Sequence, residues 1–479
     1  MENQKNIPIW QILLLLAFLI GTLFYTIRVV DGWVHIPLAL SAVVAAIIAV
    51  ANGYSWQYLE KGILTSINRS MQAIIILFII GMLVGTWILA GIVPTMIYYG
   101  LKILSPGIFL VATCLICCVV SLATGSSWTT AATVGIALLG VGQGLGIHLP
   151  IVAGAIISGA YFGDKMSPLS DTTNLAPAMA GANLFDHIRH MIYTTGPSLI
   201  IALVLYGIIG AKYAGKDLDY NNIQQMLDGL SGAFNISPIL LIPPLLVILI
   251  VILKVPAIPG LFAGVILGGI FALIFQPAAT MVDLFCVTYE GYKPALEMDF
   301  LNSLLERGGF AGMYYTVGLI LCAMTLGGVM DSSGMLRRIA EKLLRMAVNT
   351  GSLVLTTVIT CIFCNIVASD QYLALVLPGR MYKEVYEDRR LKPKNLSRVL
   401  EDSGTLTSAL VPWNTCGTYM HTVLAIHPFA YAPYAFLNLI NPLISIFYGF
   451  TGITMEKMSE EEYQEVLKQR EAEKKEAIV

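Results

Sequence analysis

Between Ile147 and Ala180 runs an apolar stretch long enough to cross a bilayer, and it is interrupted by Gly163-Asp-Lys-Met-Ser-Pro-Leu-Ser-Asp-Thr-Thr-Asn174. Asp164, Lys165 and Asp171 stand where hydrocarbon is expected. Each charge at bilayer depth costs roughly 2.5–3.5 kcal/mol on insertion scales. Ser167, Ser170, Thr172, Thr173 and Asn174 add oxygen atoms, and Pro168 stops a helix from running through. A broken membrane helix leaves backbone groups free, which is tolerated only inside protein or beside a water-filled cavity. Secondary transporters hold ions and substrates at such breaks. An ordinary loop needs no such density of oxygen ligands.

Only 12% of the 479 residues are charged and 57% are hydrophobic, whereas a soluble chain carries about 25% charge. The mean hydropathy is +0.76. The fold class is therefore an all-α polytopic membrane protein lying in a lipid bilayer. The net charge of −2 gives no footprint for nucleic acid. The apolar run Ile7–Ile27 follows a short polar start and has no convincing cleavage site, so it reads as a retained helix. Cys114-Leu-Ile-Cys117 and Cys361-Ile-Phe-Cys364 lie in apolar segments without polar ligands around them, and read as small buried hydrophobes.

Expected spans are Pro8–Ile27, Trp33–Ala51, Met71–Ile92, Met191–Gly210, Pro238–Leu253, Pro256–Phe275, Phe310–Met330 and Ala432–Phe450. Pro94–Leu104 and Met335–Val348 read as helices lying at the interface. Residues 107–141 are apolar but broken by Thr124-Gly-Ser-Ser-Trp-Thr-Thr130, which predicts a re-entrant hairpin; residues 352–380, with Val367-Ala-Ser-Asp-Gln-Tyr372, predict another. Broken spans are expected at 147–180 and 396–423, a polar external linker at 211–235, a polar loop at Gln276–Gly309 and a charged tail at 453–479. The chain then divides into a first repeat, 1–210, and a second, 236–452. Pro168 and Pro412 are 244 residues apart; Ser127 and Asp370, like Gly91 and Gly334, are 243 apart. Five crossings per half would make the repeats inverted. With both termini in the cytoplasm, 21 of the 28 lysines and arginines fall inside and six outside, as the positive-inside rule requires.

Four stretches carry a family likeness: SSWTTAATVGIAL (126–138), GAYFGDKMSPLSDTTNLAP (159–177), SDQYLALVLPGRMYK (369–383) and EDSGTLTSALVPWNTCG (401–417). They resemble the NhaC-type sodium/proton antiporters, part of a wider ion-transporter superfamily. The resemblance implies two hairpins, two broken helices, a mobile transport domain moving by an elevator, a scaffold, a homodimer and a place in the cell membrane. Some members exchange organic anions, malate for lactate, so a small carboxylate is an alternative substrate.

The chemistry suits sodium, a hard cation that wants several oxygen ligands. Thr124, Ser126, Ser127 and Thr129 of the first tip are expected to face Ser167, Asp171, Thr172, Thr173 and Asn174; sodium would rest on Asp171, Thr172, Thr173, Ser126 and Ser127. Ser369, Asp370 and Gln371 of the second tip are expected to face Ser403, Thr405, Asn414 and Thr415. A buried carboxylate that holds sodium or a proton, but not both, gives exchange; Asp171 is the first candidate, then Asp164 and Asp370. Lys165 either neutralises Asp164, loses its proton when sodium enters, or binds an anionic substrate. Glu401 and Asp402 read as solvated charges or a proton route, and His187 and His190 as surface residues, with pH sensing as the alternative. Sodium and protons are the expected cargo, and no cofactor is. No Gly-x-Ser-x-Gly or His-Glu-x-x-His points to an enzyme.

Overall fold

The computed structural model describes residues 6–30, 32–214, 220–253, 255–294, 301–302 and 305–476. Asp217 and Asp219 of the expected linker lie outside them. Among the described residues, seven helices are long and apolar enough to cross a membrane, or nine if each of two bent pairs counts as one span. The protein is a multi-pass α-helical membrane protein.

The first half runs α1 (Ile9–Tyr25), α2 (His35–Ala51), α3 (Trp56–Leu89), α4 (Ile92–Ile103), α5 (Pro106–Thr124), α6 (Ser127–Thr130), α7 (Ile136–Gly144), α8 (Leu149–Met166), α9 (Asp171–Ala180) and α10 (Leu184–Ala214). A π-helical turn, Ala131–Gly135, joins α6 to α7. The region between the halves holds α11 (Tyr220–Ala233), so what reads as a plain linker contains a helix. It meets the next span at an angle of 93°.

The second half runs α12 (Ile242–Ile252), α13 (Ala257–Phe275), α14 (Met281–Glu290), α15 (Tyr314–Ser332), α16 (Met335–Leu344), α17 (Thr350–Val367), α18 (Gln371–Asp388), α19 (Pro393–Leu400), α20 (Leu406–Ser408), α21 (Thr415–Leu424), α22 (Pro428–Tyr431) and α23 (Phe436–Thr451). The π-helical segment Glu401–Thr405 links α19 to α20. A final helix, α24 (Glu460–Glu476), follows.

Two expectations change here. The third span is a 34-residue helix, α3, much longer than Met71–Ile92. Its first turns carry Glu60, Lys61 and Arg69, which hide the start from a search for apolar runs but do not break a helix. The stretch Gln276–Gly309 is not simply loop, because Thr280 caps α14: its hydroxyl accepts from Asp283 N while Asp283 accepts from Thr280 N.

The helices fall into two groups. In one, α2 packs on α15 as α13 packs on α3, α1 lies on α2 as α12 lies on α13, and α3 meets α15. In the other, α10 packs on α5 as α23 packs on α17, and α10 meets α23. Outward faces are apolar: Leu13, Ile20 and Phe24 on α1 and Ile200, Val204 and Ile208 on α10 are exposed, as lipid contact demands.

The tightest contact is α5 on α8. Gly159 and Gly163, one helical turn apart, bring the backbones together. A Cβ on Gly163 would stand 2.2 Å from Leu122 N, and one on Gly159 2.2 Å from Cys114 O. Gly163→Ala is therefore expected to destabilise the protein by about 1–3 kcal/mol, the cost of overpacking. Thermal unfolding in detergent checks this; an unchanged melting temperature would remove the close approach as a determinant of the fold.

Candidate ion site at the broken helices

Each hairpin turns on one residue with left-handed backbone. At the first tip this is Gly125 (φ 68°), followed by Ser126, whose hydroxyl caps α6 by accepting from Thr129 N at 3.1 Å. At the second it is Ser369 (φ 59°), followed by Asp370, whose carboxylate caps α18 by accepting from Leu373 N at 2.9 Å. The structural match is thus Ser126 with Asp370, one residue from the sequence match of Ser127. It has the same 244-residue spacing as Pro168 and Pro412. Ser170, before α9, likewise matches Asn414, before α21. A non-glycine residue at positive φ is strained, and such strain concentrates at working sites.

The first tip presses on the first break: a Cβ at Gly125 would lie 2.7 Å from Leu169 Cβ. The break covers Ser167–Ser170. Across it, the buried Asp164 gathers the tip and the break together. Ser127 Oγ donates to its Oδ2 at 2.6 Å and Ser170 Oγ donates to its Oδ1 at 2.6 Å. Thr172 Oγ1 lies 3.1 Å from Ser170 Oγ. Thr173 Oγ1 donates to the carbonyls of Asp164 (2.9 Å) and Lys165 (2.8 Å), fastening α9 to the end of α8.

Asp171 is elsewhere. It is the first residue of α9, not part of the non-helical break, and it is exposed. Its Oδ2 accepts from Tyr372 OH at 3.4 Å. The expectation of a buried carboxylate at Asp171 is corrected: the buried aspartate of this break is Asp164. Residue spacing made both look alike, but α5 and the first tip cover only the α8 side. Asn174 is exposed too, and its amide donates to the carbonyls of Pro168 and Ser170. Ser167 Oγ accepts from Leu169 N at 3.3 Å. Thr124 and Thr129 are buried behind the tip, and Thr124 Oγ1 reaches Ser121 O at 3.5 Å.

The second half-site is joined mainly through backbone. Thr415 N donates to Ser369 O at 3.0 Å, and Asn414 donates to Asn365 at 3.1 Å while accepting from Cys416 N at 3.0 Å. Cys416 Sγ donates to Gln371 Oε1 at 2.9 Å. The buried Ser369 hydroxyl and Gln371 Nε2 meet no hydrogen-bond partner. Ser403 does not turn to the tip; its hydroxyl donates to Val399 O at 2.6 Å, and Thr405 Oγ1 is unpartnered.

Lys165 does not pair with Asp164. Its ammonium contacts Asp402 Oδ1 and donates to Asn441 Oδ1 at 3.0 Å. Thr194 Oγ1 also donates to Asp402 Oδ1, at 2.9 Å, and Arg398 Nε stands 3.9 Å from Asp402 Oδ2. Glu401, Asp402 and Arg398 are fully buried, so the solvated reading of Glu401 and Asp402 is corrected. His187 and His190 are buried as well, not surface residues. Sequence reading passed over Arg398, Thr194 and Asn441; the available signal was a second cluster of charges inside an apolar span. Trp128 stacks on Tyr419 with centroids 4.0 Å apart, and Trp413 Nε1 donates to Ile366 O, so both are packing residues.

Residues 159–453, which contain both breaks and the second tip, match the sequence model of the Na+/H+ antiporter family. The chain belongs to this family. Its curated relatives extend the likeness to nearly the whole length. The Malate-2H(+)/Na(+)-lactate antiporter of Bacillus subtilis is 38% identical over 453 residues, 94% of this chain and 96% of the relative. The Na(+)/H(+) antiporter NhaC of Alkalihalophilus pseudofirmus is 37% identical over 454 residues, 95% and 98%. The Arginine/ornithine antiporter ArcD of Halobacterium salinarum is 35% identical over 464 residues, 96% of each. The NhaC-type likeness read from the motifs is borne out by the family match and by the NhaC relative.

Proposed function

We propose that this member of the family is a secondary antiporter that exchanges sodium for protons across the cell membrane. The observation that carries the reading is Asp164: a buried carboxylate at a break in a membrane helix, held by one hydroxyl from each side. Sodium would bind the Asp164 carboxylate with the oxygens of Ser127, Ser170 and Thr172; a proton on the same carboxylate excludes it. That competition turns one site into an exchanger. Asp370 is engaged as a helix cap, and Asp171 is exposed.

The paired packing of α2 with α15 and α13 with α3 supports two inverted repeats. In an elevator, the group holding both breaks and tips would move against the group holding α1–α3 and α12–α15, in a homodimer with both termini cytoplasmic. The protein moves its substrates and does not transform them. A second reading, exchange that includes a small organic ion, is favoured by the names of two relatives, which specify malate with lactate and arginine with ornithine. The unpartnered Ser369 hydroxyl and Gln371 amide would receive it.

Purified protein in sealed vesicles tests both. An imposed pH gradient is expected to drive saturable sodium uptake, and addition of malate, lactate, arginine or ornithine to leave it unchanged. Absence of sodium flux would overturn the first reading; flux only with an organic ion would establish the second.

A further inference from the structure

Among the described residues, 21 buried side-chain nitrogen and oxygen atoms have no hydrogen-bond partner, and 12 of them lie on α10, α23 and the second broken span. They form facing stripes. On α10, His187, His190, Thr194 and Ser198 recur at helical spacing with Thr195 beside them, all buried. On α23, Asn438, Asn441 and Ser445 recur in the same way, all with no exposure. The broken span brings Glu401 and Asp402 against them. His187 Nε2, Thr195 Oγ1, Asn438 Oδ1, Asn441 Nδ2, Ser445 Oγ and Asp402 Oδ2 are among the unpartnered atoms.

A buried polar atom without a partner costs about 1–3 kcal/mol. Arg398 Nε and Asp402 Oδ2 face each other at 3.9 Å, and His190 Nδ1 faces Glu456 Oε1 at 3.7 Å; for the other atoms along the seam, water can supply the missing bonds. Ordered water occupies such places when two to four polar groups converge on it. The seam has two defined ends. At one, His190 Nδ1 lies 3.7 Å from Glu456 Oε1, whose side chain is 41% exposed and opens to solvent. At the other, Thr194 reaches Asp402 and Asn441 reaches Lys165.

We propose that the seam between α10, α23 and the second broken span binds a continuous chain of water running from the Glu456 face to the Lys165–Asp402 pair. The ligand is water, and the site is built from the two polar stripes. The chain gives the interior an aqueous connection to one face, along which protons pass by exchange between hydrogen-bonded waters with none consumed. That role, but not the hydration itself, rests on the antiport reading.

Hydroxyl-radical labelling by X-ray radiolysis of water separates the two. Met191 on α10 is fully buried between His190 and Thr194; Met330 on α15 is equally buried. Met191 is expected to oxidise several-fold faster than Met330 in the intact protein. Equal, slow labelling of both would overturn the water chain, whatever the transport result. In the Thr195→Val, Ser445→Ala variant, Met191 labelling is expected to fall toward that of Met330. Sodium-driven proton flux should slow several-fold while sodium/sodium counterflow persists. Unchanged labelling in a folded variant would overturn the assignment of these hydroxyls; if the variant does not fold, the wild-type ratio decides. Wild-type protein that labels as expected but shows no sodium flux would refute the antiport reading and leave the water chain standing.

Discussion

Replacing Lys165 with methionine is expected to leave little folded protein, and replacing Asp402 with leucine in the same chain is expected to restore it. Both side chains are wholly buried. Breaking a buried ion pair by removing one partner costs about 3–5 kcal/mol, because the other charge is left uncompensated. That is a large part of the roughly 5–15 kcal/mol that holds a folded domain. In Lys165→Met, Asp402 would keep only the Thr194 hydroxyl and Arg398 Nε at 3.9 Å. Removing both charges also takes from Arg398 its 3.9 Å approach to Asp402 Oδ2, but apolar replacement of whole pairs is often neutral or stabilising. Gel filtration and thermal unfolding in detergent measure the outcome. If Lys165→Met melts with the wild type, the pair does not hold the two broken spans together. If the double variant folds but does not transport, Lys165 has a role in coupling as well.

The second large effect is on exchange. Asp164→Asn keeps the shape and one oxygen but cannot take up or lose a proton, so sodium-driven proton exchange is expected to fall to background. Asp171→Asn, at an exposed position, is expected to stay within about twofold of the wild type, since exposed substitutions are usually worth under about 0.5 kcal/mol. The sign with pH follows from competition. In the wild type, apparent sodium affinity improves as pH rises, because fewer protons occupy the carboxylate. Asp164→Asn loses that dependence. The decisive comparison is paired flux in vesicles at several pH values. Exchange lost in Asp171→Asn and retained in Asp164→Asn would reassign the site to the residue that first drew attention in the sequence.

The tail shows how far local reading reaches. A charged segment after the last span is plain in composition, yet its docking is not. Arg470 pairs with Glu387 and Asp388, Arg390 with Glu460 and Lys392 with Glu462, which folds α24 back along the end of α18 and the start of α19. The Glu462 carboxyl is held below its usual range by the hydrogen bond from Lys392. Those partners are 70 to 83 residues apart, and nothing local marks them.

By itself the sequence determined the class, the two breaks and both tips, while the start of α3 escaped it. Each follows from a local property: about twenty apolar residues span a bilayer, proline ends a helix, and a polar cluster interrupts an apolar run. The four motif stretches at 126–138, 159–177, 369–383 and 401–417 also carried the family. Tertiary structure alone decided which aspartate is buried and whom each charge meets. Asp164 and Asp171 are seven residues apart in similar surroundings, but only Asp164 is covered by the first tip. Lys165 finds Asp402 at a separation of 237 residues, although Asp164 is its neighbour in the chain. Burial and pairing are set by which helices pack together, and consecutive residues on a helix point about 100° apart. Adjacency in sequence therefore places neighbouring charges on different faces, and only the packed bundle says what each face meets.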